Sequence, residues 1–333
     1  MNQTQTKKNK TAQIIATYIV VGGMIFIFLF DIAAVLLRNH FERQVPIMPE
    51  LFESNGELTR FHFLNAYNGD SILLESQGRF ALIDSGWGND NPIEPVRRYG
   101  TEQRVLDYLA RTAMNESGII HLDFVLATHY HYDHVGGFPL ILSDPRVWID
   151  RVYLPARTEH ANSRWYVPIL RNRLKEIALQ RGFEVIEFLP TESFYLGNMA
   201  VQFFNTEFCP QRSENDNSIV TLAQANGFRA LLPSDITAFR GVEREIAQQV
   251  GSVDLLQLPH HGYTLSSSAY FLRTLRPSLA IVSNFPGRVY PNVMWNLTFI
   301  SRTPYLSTVA KNGIIVTITE DSEFLVTKNL HLP

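Results

Sequence analysis

Two kinds of hydrophobic pattern divide the chain. Residues 12–30 are almost continuously apolar, interrupted only by Gln13 and Thr17, and a second apolar piece runs to Leu37. From Leu58 onward, short apolar runs bounded by turn residues alternate with longer amphipathic stretches. Alternation of strand-like and helix-like segments is typical of an α/β domain. The pattern therefore predicts an N-terminal apolar helix followed by a large α/β domain.

The N-terminal pattern predicts a polar tail at residues 1–11 and a transmembrane signal-anchor at residues 12–37. At a helical rise of ~1.5 Å per residue, residues 12–30 cover about 28 Å, close to the ~30 Å thickness of a bilayer core. A cleaved signal peptide is the alternative, but the apolar run exceeds the usual length of roughly 7–15 residues. Three lysines precede the run and two arginines follow it, which favours a cytoplasmic N-terminus. We expect a single-pass membrane protein whose main domain is extracytoplasmic.

Residues 38–57 are predicted to be a linker, and residues 58–333 a single domain. Strand-like runs at residues 61–64, 71–74 and 80–83 are separated by turn signals, among them Gln77-Gly78. Later runs repeat the alternation of strands and helices. Two groups of strands, each accompanied by helices, predict two sheets packed face to face with helices outside.

The densest chemistry follows the short apolar run at residues 122–126. Four potential metal ligands stand within six residues there, before a Gly-Gly pair: His129, His131, Asp133 and His134. Divalent first-row metals prefer imidazole and carboxylate ligands, and α/β folds usually place their sites at strand ends. Concentrating so many titratable groups is costly unless a cation holds them. We predict that this loop nucleates a dinuclear metal centre.

Three further places carry an acid or a histidine directly after an apolar run. Asp84 follows Leu82-Ile83, Asp235 follows residues 231–234, and His260-His261 follow residues 255–259. Taken singly, an acid at a strand end is often only a helix cap, and Asp235 suits that role too. Strand ends on one rim converge, however, so the recurrence favours a shared site.

Composition narrows the classes of function. The chain has 45% hydrophobic and 18% charged residues, as expected of a globular protein. A net charge of -3, from 29 basic and 32 acidic residues, argues against an extended basic surface for long nucleic acids, although a local basic cleft is compatible with it. Cys209 is the only cysteine, which excludes an intramolecular disulfide and a multi-cysteine zinc site.

Taken together, these motifs resemble the metallo-β-lactamase superfamily, through Asp84, the Thr-His-x-His-x-Asp-His motif with Gly-Gly, Asp235 and His260-His261-Gly262. Within it, the segments around Gly69-Asp70-Ser71-Ile72, Asn215–Val220 and His260–Gly262 are similar to the hydrolase domain of ComEC-type competence proteins. The resemblance covers about residues 58–326. It implies an αβ/βα four-layer sandwich.

The resemblance also implies two divalent metal ions, usually zinc. His129 and His131 would hold one metal, Asp133, His134 and His261 the other, and Asp235 would bridge them. Asp133, Asp84 and His260 would be the catalytic set. Asp133 would handle the proton of the attacking water, Asp84 would orient a ligand, and His260 would contact a substrate oxygen. Of the adjacent pair, His261 is favoured as the ligand.

One departure concerns the first metal. Superfamily members typically supply a third histidine between the central motif and the bridging aspartate, and here the sole histidine in that interval is His160. ComEC-type proteins also lack it, so Asn215 or Asp216 is expected to face the metal instead. Ser234 and Tyr263 replace residues usual in the superfamily next to the bridge and the histidine pair, without removing a ligand.

These features predict a membrane-anchored, metal-dependent hydrolase, with a phosphodiesterase or nuclease favoured because in-line displacement at phosphorus places charge on oxygens at both ends. The expected substrates are phosphodiesters or other small esters, with nucleic acid among the candidates, and no obligate protein partner is inferred. The alternatives are a lactone or carboxylic ester hydrolase and a non-catalytic binding module.

Overall fold

The computed structural model describes residues 3–48, 58–89, 100–157 and 165–330. The chain divides into two units, Met1–Gln44 and Val45–Pro333. The first unit is one long helix, α1 (Gln3–Glu42), which includes the start of the segment predicted to be a linker. In the described part of the chain, no helix has both the length and the apolar character needed to cross a membrane. The transmembrane span predicted at residues 12–37 is therefore not confirmed.

The second unit is built from strands and helices in alternation. Its strands are β1 (Ile47–Met48), β2 (Thr59–Phe63), β3 (Ile72–Ser76), β4 (Arg79–Ile83), β5 (Ile120–Leu126), β6 (Val147–Tyr153), β7 (Glu184–Ile186), β8 (Phe194–Leu196), β9 (Met199–Phe204), β10 (Val220–Ala225), β11 (Phe228–Leu232), β12 (Leu255–Gln257), β13 (Leu279–Val282), β14 (Tyr305–Ser307), β15 (Ile314–Ile318) and β16 (Phe324–Lys328). Its α-helices are α2 (Glu102–Thr112), α3 (Tyr132–Val135), α4 (Phe138–Ser143), α5 (Val167–Gln180), α6 (Val242–Val250), α7 (Ala269–Leu275) and α8 (Pro291–Trp295).

The strands form two mixed sheets. The nine-stranded sheet has the order β1-β16-β15-β2-β3-β4-β5-β6-β7, and the seven-stranded sheet has the order β14-β13-β12-β11-β10-β9-β8. In the first sheet β4 and β5 are parallel neighbours, and in the second sheet β11 and β12 are parallel neighbours. Parallel neighbouring strands end at the same edge of a sheet. Each sheet therefore brings the carboxyl ends of two strands together at that edge.

Three apolar clusters define four layers. One lies between the nine-stranded sheet and helices α2, α4 and α5, with Leu122 and Leu109 among its members. The second lies between the two sheets and includes Phe124 and Leu232. The third packs the seven-stranded sheet against α6 and α7, and includes Leu256. Both faces of each sheet are thus buried, which explains the nearly continuous apolar strands. The predicted αβ/βα sandwich is confirmed.

Local predictions hold best where the pattern is long or the turn chemistry is specific. The helix predicted at residues 103–112 is α2. The Gln77-Gly78 turn joins β3 to β4 with φ of 51° and 71°, the conformation that favours glycine. The central motif was expected to lie wholly on a loop, but Asp133 and His134 lie on the short helix α3. Four residues are too few to show a helical period.

The Gly-Gly pair after the central motif lets two loops pack closely. A Cβ on Gly136 would lie 2.4 Å from the carbonyl oxygen of Tyr132, and a Cβ on Gly137 would lie 2.5 Å from the carbonyl oxygen of Ser85. Ser85 N donates to His134 O at 2.6 Å, and Gly137 N donates to Gly86 O at 3.1 Å. Only glycine fits this contact, which holds the end of β4 against α3.

We expect Gly137→Ala to lower the free energy of unfolding by about 1–3 kcal/mol, the usual cost of overpacking. Its φ of -83° suits alanine, so the loss would come from crowding, mainly against Ser85 O at 2.5 Å and also against Glu102 Cβ at 3.3 Å. Gly287→Ala is the matched control, because nothing lies within 4 Å of its added Cβ. Urea unfolding of both variants measures the difference. Equal stabilities would contradict the packing argument.

Candidate metal centre

Asp84, directly after β4, orients His134. Its Oδ2 accepts hydrogen bonds from His134 Nδ1 at 2.7 Å and from Thr128 Oγ1 at 2.7 Å, and its Oδ1 accepts from Thr128 N at 2.9 Å. A carboxylate accepts only, so Nδ1 of His134 carries a proton. The lone pair of a neutral His134 is therefore on Nε2, which faces the interior of the site.

The ring of His129 is oriented by a hydrogen bond to Thr128. Its Nδ1 lies 3.1 Å from Thr128 Oγ1 and 3.5 Å from Ser234 Oγ. Thr128 Oγ1 already donates to Asp84, so it accepts from His129 Nδ1. Nε2 of His129 then faces His131 Nδ1 at 3.1 Å. One aspartate thus fixes His134 directly and His129 through a threonine.

Two groups of donor atoms converge inside the fold, and Asp235 belongs to both. The first group is His129, His131 and Asp235, and the second is Asp70, His134, Asp235 and His261; within each group the donor atoms lie within 4.8 Å of one another. Asp235 Oδ2 is 3.7 Å from His129 Nε2. Its Oδ1 is 3.4 Å from His134 Nε2 and 3.3 Å from His261 Nε2. The two oxygens of one carboxylate therefore face different imidazole groups.

The adjacent histidines after β12 have different surroundings. His261 is buried and belongs to the second group, whereas His260 is half-buried and lies outside both groups. Both have a φ of 52°, in the left-handed region that non-glycine residues adopt at a cost of roughly 1–3 kcal/mol. Asn284 Nδ2 donates to His261 O at 3.0 Å and supports this turn.

Asp133 approaches the second group from its open side. Its side chain is 21% exposed, and its Oδ2 is 3.5 Å from His261 Nε2. Burial raises the pKa of this carboxyl, but the hydrogen bond to His261 and the nearby His134 outweigh burial and leave the pKa lowered. Asp133 is thus an ionised carboxylate between the buried donors and the solvent.

Asp70 is the site residue that the sequence does not single out as a candidate ligand: Gly69-Asp70 stands there only within a segment similar to ComEC-type proteins. Its Oδ2 accepts from Gln257 Nε2 at 2.5 Å. Its nearest imidazole atoms are Nδ1 of His134 and Nδ1 of His261, both at 3.8 Å, whereas Asp235 faces Nε2 of the same rings. Asp70 therefore lies behind the two imidazoles, where it is better placed to orient them than to share a cation with Asp235.

Asp216 was expected to face the metal, but its carboxylate is engaged elsewhere. Its Oδ1 accepts from Thr237 N at 3.1 Å and Thr237 Oγ1 at 2.7 Å, and its Oδ2 accepts from Ser213 Oγ at 2.9 Å. Asp216 therefore fixes the segment that follows Asp235. Asn215 stays a prediction: its Oδ1 is buried and accepts no hydrogen bond from the described residues. His160 lies outside the described residues.

A buried ion pair braces the central motif. Glu214 Oε1 accepts from Tyr130 N at 3.0 Å and from Arg157 Nε at 3.1 Å. Arg157 also donates to Asn217 O at 2.9 Å. The backbone between His129 and His131 is thus tied to the segment carrying Asp216. Sequence reasoning gave no signal for this contact, since its partners are far apart along the chain.

The electrostatics of the centre suit a cation. Burial raises the pKa of Asp235, but His261 and His134 outweigh burial and hold that pKa well below its usual range. Burial lowers the pKa of His261, yet Asp235 and Asp70 raise it to about 9. Asp235 Oδ1, which faces Nε2 of both His134 and His261, is buried without a hydrogen-bond partner in the described structure. Such an unsatisfied donor atom fits divalent metal ions, whose binding would displace the histidine protons.

The sequence profile of the family described as "Beta-lactamase superfamily domain" matches residues 79–276. The chain belongs to the β-lactamase superfamily. Its fold agrees with that of the metallo-β-lactamase fold protein YhfI from Bacillus subtilis, with a TM-score of 0.51, 12% identity and coverage of 78% of this chain and 100% of that one. The metallo-β-lactamase resemblance is confirmed.

Two curated relatives agree with the predicted similarity to ComEC-type proteins. The chain is 23% identical over 286 residues to ComE operon protein 3 of Bacillus subtilis (strain 168), covering 78% of this chain and 34% of the relative. It is 26% identical over 232 residues to Recombination protein 2 of Haemophilus influenzae, covering 68% of this chain and 24% of the relative. The chain thus spans about a third and a quarter of their lengths.

We expect Asp84→Asn to weaken zinc binding by roughly 10–100-fold, because the amide replaces one of the two oxygens that accept from His134 and Thr128. Asp107→Asn is the control, since Asp107 accepts a hydrogen bond from Gln103 on the exposed side of α2 and belongs to none of the groups of potential metal ligands in the described structure. Competition with a chromogenic chelator on the full chain measures the affinity. An unchanged affinity in Asp84→Asn would contradict the orienting role.

Proposed function

We propose that this chain is a dinuclear metal-dependent phosphodiesterase, with nuclease activity as its favoured form. The observation that carries the proposal is Asp235, whose two carboxylate oxygens face separate imidazole groups at 3.3–3.7 Å. A carboxylate in that position is suited to bridge two cations. A helix cap, the simpler interpretation of this residue, would not require four histidine rings around it.

The donor atoms divide between two metals. His129 and His131 would hold one, and His134, His261 and Asp133 the other, with Asp235 shared. Bound divalent cations, zinc by the preference of these ligands, would acidify a water molecule and neutralise charge on phosphoryl oxygens. Hydrogen bonds to Asp84 and Thr128 fix the rings of His134 and His129, so these donors are arranged in advance.

The partly exposed residues handle protons and the substrate. Asp133 is ionised and lies at the open side, where its carboxylate can take a proton from the attacking water. His260 is half-buried beside His261, and burial lowers its pKa. A neutral imidazole there donates one N–H to a phosphoryl oxygen of the substrate.

A phosphodiester is favoured over a carboxylic ester or lactone for two reasons. Paired cations stabilise charge on both the attacking and the leaving oxygen, which in-line displacement at phosphorus requires. One curated relative is named for recombination, a process that acts on nucleic acids. Because this chain covers only part of that relative, the name supports the proposal without extending to the whole protein's activity.

The test is turnover of bis-p-nitrophenyl phosphate against a panel of lactones by the full chain. We expect zinc- or manganese-dependent diester hydrolysis that a chelator abolishes and added metal restores. Asp235→Asn should reduce the rate at least about 100-fold, since both donor groups lose a shared oxygen. Asp107→Asn should retain activity. Faster hydrolysis of lactones, or turnover that is independent of metal, would contradict the proposal.

A further inference from the structure

Aromatic side chains gather beside the metal centre. The rings of Tyr67 and Phe285 are stacked, with centroids 6.3 Å apart and planes within 8°. The rings of Tyr263 and Tyr290 meet edge to face at 5.8 Å. Phe285 is 38% exposed and Tyr290 is 43% exposed. We term these four residues the aromatic strip, and its rings are partly exposed to solvent.

The strip is continuous with the residues proposed to bind metal and substrate. Asn284 bonds the carbonyl of His261 through Nδ2, at 3.0 Å, and accepts from Phe285 N through Oδ1, at 2.8 Å. Tyr290 N donates to the carbonyl of Gly262 at 2.9 Å. The ring of Tyr263 lies 5.6 Å from that of His260. Backbone contacts thus fix the strip directly against the histidine turn.

Two arginines lie over the rings of the strip. The guanidinium of Arg104 is 5.2 Å from the centroid of Tyr67, and that of Arg288 is 5.1 Å from the centroid of Phe285. Arg104 also donates to Asn65 O at 3.2 Å, which fixes its position. The whole chain has a net charge of -3, so these two cations on aromatic rings make the surroundings of the strip locally positive. They supply the local positive charge that composition alone left open.

We propose that the aromatic strip stacks the bases of a single-stranded polynucleotide and guides its phosphates to the metal centre; the proposal rests on the phosphodiesterase function. Exposed rings with adjacent arginines are how proteins bind single strands without reading their sequence, since every base has a π face. In a duplex the base faces are already stacked on one another. The strip therefore favours single strands over duplexes and over diesters that lack bases.

The test compares Phe285→Leu, which removes the ring but keeps an apolar side chain, with Phe285→Tyr, which keeps the ring. Tyr195→Leu is the control, because Tyr195 is 67% exposed on the outer strand β8. At fixed salt, Phe285→Leu should raise KM for a short oligothymidylate at least about fivefold, the effect of losing one stacked base. The KM of Phe285→Tyr and that of Tyr195→Leu should each stay within about twofold of the KM of the unmodified chain. Zinc affinity, measured by competition with a chromogenic chelator, should be the same in all four proteins, because none of the variants changes a proposed metal donor.

An unchanged KM in Phe285→Leu would overturn the proposal, as would a loss of zinc affinity in that variant, which would indicate a structural role. Fluorescence anisotropy with labelled oligothymidylate and a duplex of equal length separates this proposal from the proposed function. If the chain hydrolyses no diester, the phosphodiesterase proposal fails. In that case, single-strand binding that is tighter than duplex binding and depends on the Phe285 ring still supports the stacking role of the aromatic strip. Equal binding of single strand and duplex contradicts it.

Discussion

The structure depends on how the buried carboxylate of Asp235 and the imidazoles around it satisfy one another. Nε2 of His134 and Nε2 of His261 lie 3.2 Å apart, and Asp235 Oδ1 lies within 3.4 Å of both. Two imidazole nitrogens that face each other away from water need a proton or a cation between them. Burial lowers the pKa of His261, but Asp235 and Asp70 raise it to about 9, so a proton can meet that need. Divalent cations would meet it with ligands already in place.

The four-layer fold produces this convergence by joining strand ends from two sheets. The nine-stranded sheet contributes Asp84 after β4 and the central motif after β5, and the seven-stranded sheet contributes Asp235 after β11 and His261 after β12. Hydrogen bonds between the loops of the two sheets then fix the positions of the site residues. Thr128 Oγ1 bonds Ser234 Oγ at 2.7 Å, and Gln257 bonds Asp70. Since donors and supports come from both sheets, the site exists only when the sheets pack together.

The sequence was sufficient for the parts of the site that are local. The ligand-rich motif, the acids at strand ends and the strand–helix alternation are all short-range patterns, and they led to the correct fold and to most of the donor groups. Asp70 was missed because its partner Gln257 is 187 residues away. The hydrogen bonds between Asp216 and Thr237, which leave Asn215 as the open candidate of that pair, span 21 residues and give no signal in the sequence. The aromatic strip was not foreseen for the same reason, since Tyr67 and Phe285 meet only in the folded chain.

The most direct test of the dinuclear claim is an anomalous difference map, measured at the zinc absorption edge, from crystals of the full chain grown with zinc. The account predicts two peaks separated by ~3.5–4 Å, one beside each oxygen of the Asp235 carboxylate, with His129 and His131 at one peak and His134 and His261 at the other. A single peak, or peaks that leave Asp235 without a metal contact, would contradict it.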